Sequence, residues 1–598
     1  MSQPENPHQA IYNIAALCAA HGLTEVVLSP GSRSAPLTLA FARHPATNVR
    51  VVPDERAAAF IGLGIAQARR VPTVLVCTSG TAGLNYAPAV AEAYYQQVPL
   101  LILTADRPPE WIDQLDGQTI RQNGMYGAHV KASYTFPTET THPDAKWHAN
   151  RLMNEAINLA KAYPPGPVHI NIPLREPLYP TGEVVFEEVR VIQETENLPL
   201  PDASTLRELA DELVKVERVL VVFGQESTYA TLRFIGHTPS GEPREPYLLP
   251  GMAVVADIIS NLGTWAMSAD QWEICTSQDI FLSSLGDAEK RALQPDLLIT
   301  CGLSLISKSL KQFLRAYPAK QHWHLQVAGE VADNFRSLTR IIRIEPSRFL
   351  PSLAQAKQSL ESDLTKTEQA RIQYDTLWYS YEQKASAFAC TNAHFPGKEG
   401  QVFNEFSAFR KIINGIPRYS ALHLANSMAV RYANILGLPL EYEIEVFANR
   451  GTSGIDGCTS TAVGYALAEP EKQVVLITGD VAFFYDRNAF WHNYPTPNLR
   501  VVLLNNHGGG IFRLIDGPRQ QPELDEFFET RQQLTAENLC RDFHLPYFPV
   551  DSWEKLEAAL PVFFGPEGAG GVLEIQTDSK VNAAFFEEYR AAVKQAFS

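Results

Sequence analysis

The stretch Gly479–Phe512, GDVAFFYDRNAFWHNYPTPNLRVVLLNNHGGGIF, constrains this chain more than any other. It follows the apolar, β-branched run Val474–Ile477 and Thr478. It crosses a segment of helical length, enters a second apolar run at Val501–Leu504, and leaves through Asn505-Asn506-His507 and three glycines. Strand, acid, helix, strand, amide pair and glycine loop in that order read as a parallel β-α-β unit. Its crossover puts both carboxyl ends on one edge of the sheet, where α/β proteins bind ligands. Asp480 and Asn506 are then neighbours. A carboxylate, an amide oxygen and a backbone carbonyl from the glycine loop are hard oxygen donors. They suit Mg²⁺, with phosphate oxygens and water in its remaining positions. Glycine lets the backbone come close to a diphosphate. A Gly-Asp by itself reads more plainly as a strand end with a solvated acid; both halves together, each after a strand, favour the ligand site.

The rest of the chain sets the frame. At 598 residues it holds three or four domains of about 150 residues each. A net charge of −16 argues against a nucleic-acid or anionic-membrane surface. The seven cysteines are an odd number, scattered and without a C-x-x-C, which points to the reducing cytoplasm and away from zinc. The polar start MSQPENPHQ and the lack of an apolar run near ~18 residues predict neither a signal peptide nor a spanning helix.

In the first part, strands at Glu25–Leu28, 49–53, Thr73–Cys77 and Leu100–Leu103 alternate with helices, and their ends carry Ser29–Ser34, Asp54–Arg56, Thr78–Thr81 and Thr104–Pro109. This is a parallel α/β module. Its strand ends match Asn426, Phe447, Thr478 and Asn505 in the same order at a nearly constant offset, which predicts a second copy of the fold. Between the copies a third α/β module has strands near Arg218–Phe223, Asp296–Thr300, His322–Val327 and Ile341–Ile344, with a surface loop at Ser227–Pro246. The expected organisation is three doubly wound parallel-sheet modules: 1–189, 206–350 (Rossmann-like) and 401–598. Residues 190–205 form a linker, 351–400 a helical connection, and His394–Gln401 the second boundary.

Several phrases together resemble the 2-succinyl-5-enolpyruvyl-6-hydroxy-3-cyclohexene-1-carboxylate synthase family, thiamin-diphosphate enzymes of menaquinone and phylloquinone synthesis. They are SPGSRSAP (29–36), Asp54-Glu55-Arg56, TSGTA (78–82), LTADRPPE (103–110), NRGTSGIDG (449–457) and NNHGGGIF (505–512). The wider thiamin pattern has Gly-Asp-Gly before its Asn-Asn; Val481 stands at the second glycine here, and this family carries an aliphatic residue there. The resemblance is dense in the first and third modules and thin in the middle. It implies the fold of thiamin-diphosphate decarboxylases, with pyrimidine, central and diphosphate domains. It also implies decarboxylation of 2-oxoglutarate and addition of the succinyl carbanion to isochorismate.

Carried over by motif, Glu55 meets the aminopyrimidine ring in an apolar site and starts proton transfer to the reactive carbon. Ile455 is the wedge that bends the cofactor. Gly479, Asp480, Asn506 and Gly508 bind the diphosphate and Mg²⁺ (or Mn²⁺), the last three as metal ligands. Both substrates are dicarboxylates, which arginine forks bind bidentately. Ser32, Arg33, Arg107, Gln118, Lys308, Ser427, Arg431 and Arg450 line the implied pocket, Arg33, Arg107, Gln118 and Arg431 being catalytic with Glu55. Ile511 and Phe512 give it an apolar wall. Ser427 and Arg431 share a helix face at i, i+4. The family's Lys-Arg pair is Lys308-Ser309 here, and a serine cannot replace a guanidinium. The implied assembly is a homodimer with shared sites, or a tetramer.

Two other readings share the cofactor motif. One is a different thiamin-dependent 2-oxo acid decarboxylase or carboligase, whose pocket needs fewer arginines. The other is a non-catalytic cofactor-binding sensor, which has no use for Glu55. The phrase His507-Gly-Gly-Gly510 also occurs in lipase-type hydrolases, but the chain lacks their Gly-x-Ser-x-Gly.

Overall fold

A computed structural model describes residues 7–180, 183–195, 197–225, 251–262, 274–358, 366–391, 401–439, 442–565, 568 and 570–597. The expected loop Ser227–Pro246 lies outside them, as does the boundary His394–Gln401 apart from its last residue.

The first sheet contains β1 (Glu25–Leu28), β2 (Asn48–Val51), β3 (Thr73–Cys77), β4 (Leu100–Asp106), β5 (Ser133–Thr135) and β6 (Pro167–Pro173). The second contains β7 (Val219–Phe223), β8 (Ala253–Ala256), β9 (Ile274–Cys275), β10 (Leu297–Cys301), β11 (Gln321–Leu325) and β12 (Arg340–Ile342). The third contains β13 (Ala421–Leu424), β14 (Glu445–Phe447), β15 (Val474–Gly479), β16 (Leu499–Asn505), β17 (Tyr547–Val550) and β18 (Gly571–Gln576). Neighbouring strands are parallel throughout. The inner strands β3, β4, β6, β7, β10 and β16 are buried along their whole length. Continuous apolar runs of this kind are what a sheet covered on both faces requires.

Strand order separates the modules. The first sheet runs β2-β1-β3-β4-β6-β5 and the third β14-β13-β15-β16-β18-β17, the same order twice. The second runs β12-β11-β10-β7-β8-β9, the order of dinucleotide-binding folds. The expected repeat is therefore a repeat of topology.

Although last in sequence, the third module lies between the other two. One core joins its residues, such as Phe406, Leu422 and Ile575, to Leu220, Val255 and Leu298 of the second. Another joins Ala462, Val463 and Leu476 to Phe60, Ile61 and Leu75 of the first. The second contact is a crossing of the corresponding helices of the two copies, Glu55–Arg69 and Cys458–Ala468. A Cβ on Gly64 would stand 2.0 Å from the Thr461 carbonyl oxygen, and one on Gly464 would stand 2.0 Å from that of Ile61. Each glycine thus faces the carbonyl one turn before the other, a reciprocal fit that only small residues permit.

Two connections pack on their neighbours. The chain that leads into the expected linker is a strap on the first module: Phe186, Val189 and Val191 pack on its core, and Asn154 and Asn158 donate to the Arg190 and Ile192 carbonyls at 3.0 and 2.7 Å. The helical connection contributes to a core as well. Trp378 and Ala385 of the helix Lys366–Cys390 are buried, and Glu382 takes the Ser277 N–H at 2.9 Å. Among the described residues, no helix is long and apolar enough to cross a membrane.

Candidate active site

The carboxyl edge of the third sheet gathers the chemistry. β15 and β16 pair with Gly479 opposite Leu504, so the residues just beyond them stand together as the crossover rule requires. Asp480 begins a short helix, Asp480–Tyr485, and is buried. Burial pushes its carboxyl up to about 6, against Gln532 and the N–H groups of Val481 and Gly508. Gln532 Nε2 is 2.7 Å from Asp480 Oδ2.

The two asparagines have different tasks, because successive side chains leave a strand on opposite faces. Asn505 is saturated: Nδ2 donates to Leu534 O and Glu574 Oε1 at 2.9 and 2.6 Å, and Oδ1 accepts the His507 N–H at 3.1 Å. Asn506 donates Nδ2 to Glu405 Oε2 at 2.8 Å, while its buried Oδ1 has no partner. The glycine loop closes over this pair. Gly509 donates to Glu529 O at 2.7 Å, and a Cβ on Gly508 would stand 2.7 Å from that same carbonyl. At Gly479 a Cβ would enter open space and φ is an ordinary −82°, so neither packing nor backbone demands a glycine there. The open space leaves room for a ligand to approach the backbone there.

Along the same edge stand the cations. Ser427 and Arg431 follow β13; Ser427 caps the helix Met428–Leu436 at a φ of +76° rather than sharing its face, and the Arg431 guanidinium folds back on the Ser427 carbonyl. Arg450 follows β14 and donates to Asn426 Oδ1 at 2.8 Å. Burial lowers the pKa of both arginines, and Arg450 lowers that of Arg431 further. Asn426 also ties the neighbouring loops, donating to the carbonyls of Asn449 and Gly454 at 2.7 Å each. Ile455 is half-buried in the loop behind them. Ile511 and Phe512 are half-buried on the turn Gly510–Arg513, with the Phe512 ring 6.0 Å from Phe528.

The second module adds two lysines, the expected Lys308 and Lys311. Lys308 is exposed at the start of its helix, and among the described residues it has no hydrogen bond or ion pair. One turn on, Lys311 donates to Leu305 O at 3.0 Å and is close enough to Arg450 and Arg431 for both to lower its pKa, after burial. The motif supplies the spacing, and the helix phase decides which lysine turns inward.

The first sheet holds the remaining residues. Arg33 is buried, 3.1 Å from Leu174 O and 3.4 Å from Glu176. Arg107 lies 3.0 Å from Asp116 and donates to Gly117 O at 3.1 Å. Ser32 and Gln118 are exposed, the Gln118 backbone lying over Gly80, whose φ of +87° calls for glycine. Glu55 is half-buried at the head of its helix, next to a run of buried residues from Ala57 to Ala66, and its charge raises the pKa of Cys77 and Tyr86. The charged neighbour of Asp480 is instead Glu405. Among the described residues, no hydrogen bond or ion pair within the chain joins this first group to the set on the third sheet.

Sequence reasoning missed Glu405, Gln532, Lys311 and Glu92. Glu92, buried in the first module, accepts the N–H groups of Gly451 and Thr452 at 2.7 Å each and so pins the loop that carries Arg450. The partners of Glu405, Gln532 and Glu92 are far away in sequence, and no motif marks any of the four.

The donor set suits a dication bound with a diphosphate. Among the described residues, no group of three or more His, Cys, Asp and Glu is placed to hold a metal. A cation here would rest on Asp480, the unpartnered oxygen of Asn506 and a backbone carbonyl, the mixed hard-oxygen set that Mg²⁺ takes when phosphate and water complete its shell.

Comparison with known proteins agrees. Residues 11–127 match the family model "Thiamine pyrophosphate enzyme, N-terminal TPP binding domain", and residues 443–572 match "Thiamine pyrophosphate enzyme, C-terminal TPP binding domain". Three curated relatives share one name, 2-succinyl-5-enolpyruvyl-6-hydroxy-3-cyclohexene-1-carboxylate synthase. That of Cytophaga hutchinsonii is 45% identical over 98% of this chain and 100% of its own. That of Porphyromonas gingivalis is 38% identical over 95% and 94%, and that of Flavobacterium johnsoniae 36% over 96% and 97%. Among solved structures, benzoylformate decarboxylase from Polynucleobacter necessarius superposes with a TM-score of 0.67 at 16% identity, over 95% of this chain and 98% of that one, a likeness of fold.

Proposed function

The chain belongs to the 2-succinyl-5-enolpyruvyl-6-hydroxy-3-cyclohexene-1-carboxylate synthase family, and from that premise we propose that it is a thiamin-diphosphate-dependent transferase that decarboxylates 2-oxoglutarate and joins the remaining succinyl unit to isochorismate. The observation that carries this reading is the order of residues along one sheet edge. Across β14, β13, β15 and β16 stand Arg450, then Ser427 with Arg431, then Asp480, then Asn506. A site for a dication and diphosphate lies beside a crowd of cations. A monocarboxylate substrate has little use for that crowd; two dicarboxylates need it.

Bound thiamin diphosphate supplies the nucleophilic carbon and the electron sink for decarboxylation. Asp480, Asn506 and the Gly508 carbonyl would hold Mg²⁺ (or Mn²⁺), and Gly479 admits the diphosphate. Ile455 would support the cofactor's rings. Glu55, set against buried alanines and Phe60, would share a proton with the aminopyrimidine ring where water does not screen the bond. Arg431, Arg450 and Lys311 from one side, and Arg33, Arg107, Ser32 and Gln118 from the other, would fix the substrate carboxylates. Ile511 and Phe512 cover the apolar face of the ring. Lys311 thus stands in for the guanidinium missing at Ser309.

Glu55 and Asp480 keep separate company within one chain, so the reading calls for a second copy, with the first sheet's edge of one subunit opposite the third sheet's edge of the other. A homodimer supplies that, as does a tetramer of two such pairs. The six cysteines whose side chains are described are buried and in no disulfide, which suits a cytoplasmic enzyme.

The test is loss of isochorismate absorbance in the presence of 2-oxoglutarate, thiamin diphosphate and Mg²⁺, each omitted in turn. Consumption that needs all of them is expected. CO₂ release from 2-oxoglutarate or pyruvate, with isochorismate untouched, would keep the cofactor and overturn the acceptor.

A further inference from the structure

Glu405 opens the helix Glu405–Gly415 and is 2% exposed. Its backbone N–H donates to Asn582 Oδ1 at 2.9 Å. Its Oε2 accepts from Asn506 Nδ2 at 2.8 Å and from Asn582 Nδ2 at 3.4 Å, and the Tyr432 hydroxyl also hydrogen-bonds it. Among the described residues, no lysine or arginine forms an ion pair with it. A buried carboxylate without a cation is costly, and its retention calls for a use.

That use follows from amide chemistry. The two ends of the Asn506 amide have nearly the same shape but opposite hydrogen-bonding roles. Turned one way it aims an oxygen at the space beside Asp480; turned the other way it aims an NH₂, which no metal ion accepts. A carboxylate only accepts, so Glu405 must meet the NH₂, and the oxygen is left facing the site, where the structure has it unpartnered. We propose that Glu405 is a positioning residue that locks the Asn506 amide with its oxygen toward the metal. Asn582, which receives the Glu405 N–H and donates to its carboxylate, keeps Glu405 in place in turn. This inference rests on the cofactor reading above and adds to it a residue outside every motif of the chain.

The test measures Mn²⁺ affinity by calorimetry on the full-length protein with saturating thiamin diphosphate, and the Tm of each apo-protein beside it. Glu405→Leu is expected to weaken Mn²⁺ binding by about 10–100-fold, the usual effect of removing a group that orients a metal ligand. Glu405→Gln, whose amide oxygen can still accept the NH₂, is expected to lose only about a few-fold. In an Asn506→Asp background there is no amide to orient, so Glu405→Leu should leave Mn²⁺ affinity unchanged or raise it. Equal weakening in both backgrounds, or a lower Tm with affinity intact, overturns the proposal. Failure of the wild-type protein to bind cofactor with Mn²⁺ overturns the reading of the site, and this inference with it. Should Glu405→Leu not fold, a crystal structure of the wild-type holoenzyme with Mn²⁺ decides. Asn506 Oδ1 on the metal and Nδ2 on Glu405 is expected; Glu405 turned away, or itself on the metal, overturns it.

Discussion

β4 and β16 hold the same place in two sheets of identical strand order, and both end in buried polar residues, yet their networks finish differently. At the end of β4, Asp106 accepts the Arg107 N–H and Asn171 Nδ2, both at 2.8 Å. Asn171 Oδ1 accepts from Gln122 at 2.9 Å and Thr104 at 3.2 Å, and Gln122 accepts the Gly80 N–H at 2.8 Å. That network closes on itself. At the end of β16, Asn505 is equally satisfied, but the chain of donors past it stops at Asn506 Oδ1. Leaving such an atom unpaired costs about 1–3 kcal/mol, which a ligand recovers on binding. Topology alone therefore does not distinguish the ends of β4 and β16; the open oxygen of Asn506, which the proposed metal would take, does.

The sharpest break of the comparison is a pair of alanines. Asp480→Ala is expected to abolish Mg²⁺-dependent cofactor binding in calorimetry, and turnover with it. Asp106→Ala should leave cofactor affinity near wild type and lower Tm instead, because it strips an acceptor from a closed network, worth about 1–3 kcal/mol. Equal loss of affinity in both variants would erase the distinction between the two edges. Next in size is Glu55→Gln, which keeps cofactor bound and reduces turnover by about 10²–10⁴-fold, the range of a lost proton-transfer group. Near-normal turnover would remove Glu55 from the chemistry.

Asp480 and Asn506 were legible because the crossover rule acts on local sequence: two apolar runs and a segment between them suffice to put both residues on one edge. β1 and β3 were legible to the residue, being short apolar runs bracketed by polar turns. The segment of helical length after Gly479 opens with only a short helix. It stops at Tyr485 because the Asp486 carboxylate turns inward to the N–H and hydroxyl of Ser460, at 2.7 and 2.8 Å. Glu405, Gln532 and Glu92 were not legible, since their partners lie 101, 52 and 359 residues away. Lys311 was not read at all, because a motif conveys order along the chain and not which turn of a helix faces inward.

The helix crossing and the lysines probe smaller effects. Gly64→Ala and Gly464→Ala each drive a Cβ against a backbone carbonyl that cannot move aside, so each should destabilise by about 1–3 kcal/mol in thermal melts. The reciprocal geometry calls for similar losses from both; a loss from one alone would show that the two helices do not meet as equals. Lys311→Ala should raise a substrate KM by about tenfold, a lost charge-assisted contact of roughly 1.4 kcal/mol, while Lys308→Ala changes it little. The opposite ranking would restore Lys308 to the pocket.

The smallest effect concerns one buried histidine in each copy. Burial pushes the imidazoles of His169 on β6 and His423 on β13 down to about 3. An unfolded histidine takes up its proton near pH 6.5. Above that pH neither state binds it, and the groups contribute nothing to pH dependence. As pH falls from about 6.5 toward 3, the unfolded state binds a proton that the folded state refuses, so each group lowers stability by up to about 1.4 kcal/mol per pH unit. Asp486 opposes this, because burial raises it to about 7. Between about pH 4 and 7 its folded form keeps a proton that an unfolded carboxylate has released, which favours folding as pH drops. Removing one imidazole isolates its share of the pH dependence. His169 hydrogen-bonds Thr104 at 2.8 Å and Ser133 at 3.0 Å, whereas His423 stacks on Phe447 at 5.0 Å with an unpartnered Nε2. His423→Leu should therefore melt near wild type at pH 8 and above it at pH 5. His169→Leu should gain similarly on acidification, but from a lower start, having left two hydroxyls without their partner. Melts of both variants at the two pH values check this; identical shifts at pH 8 would mean that the two histidines are held alike.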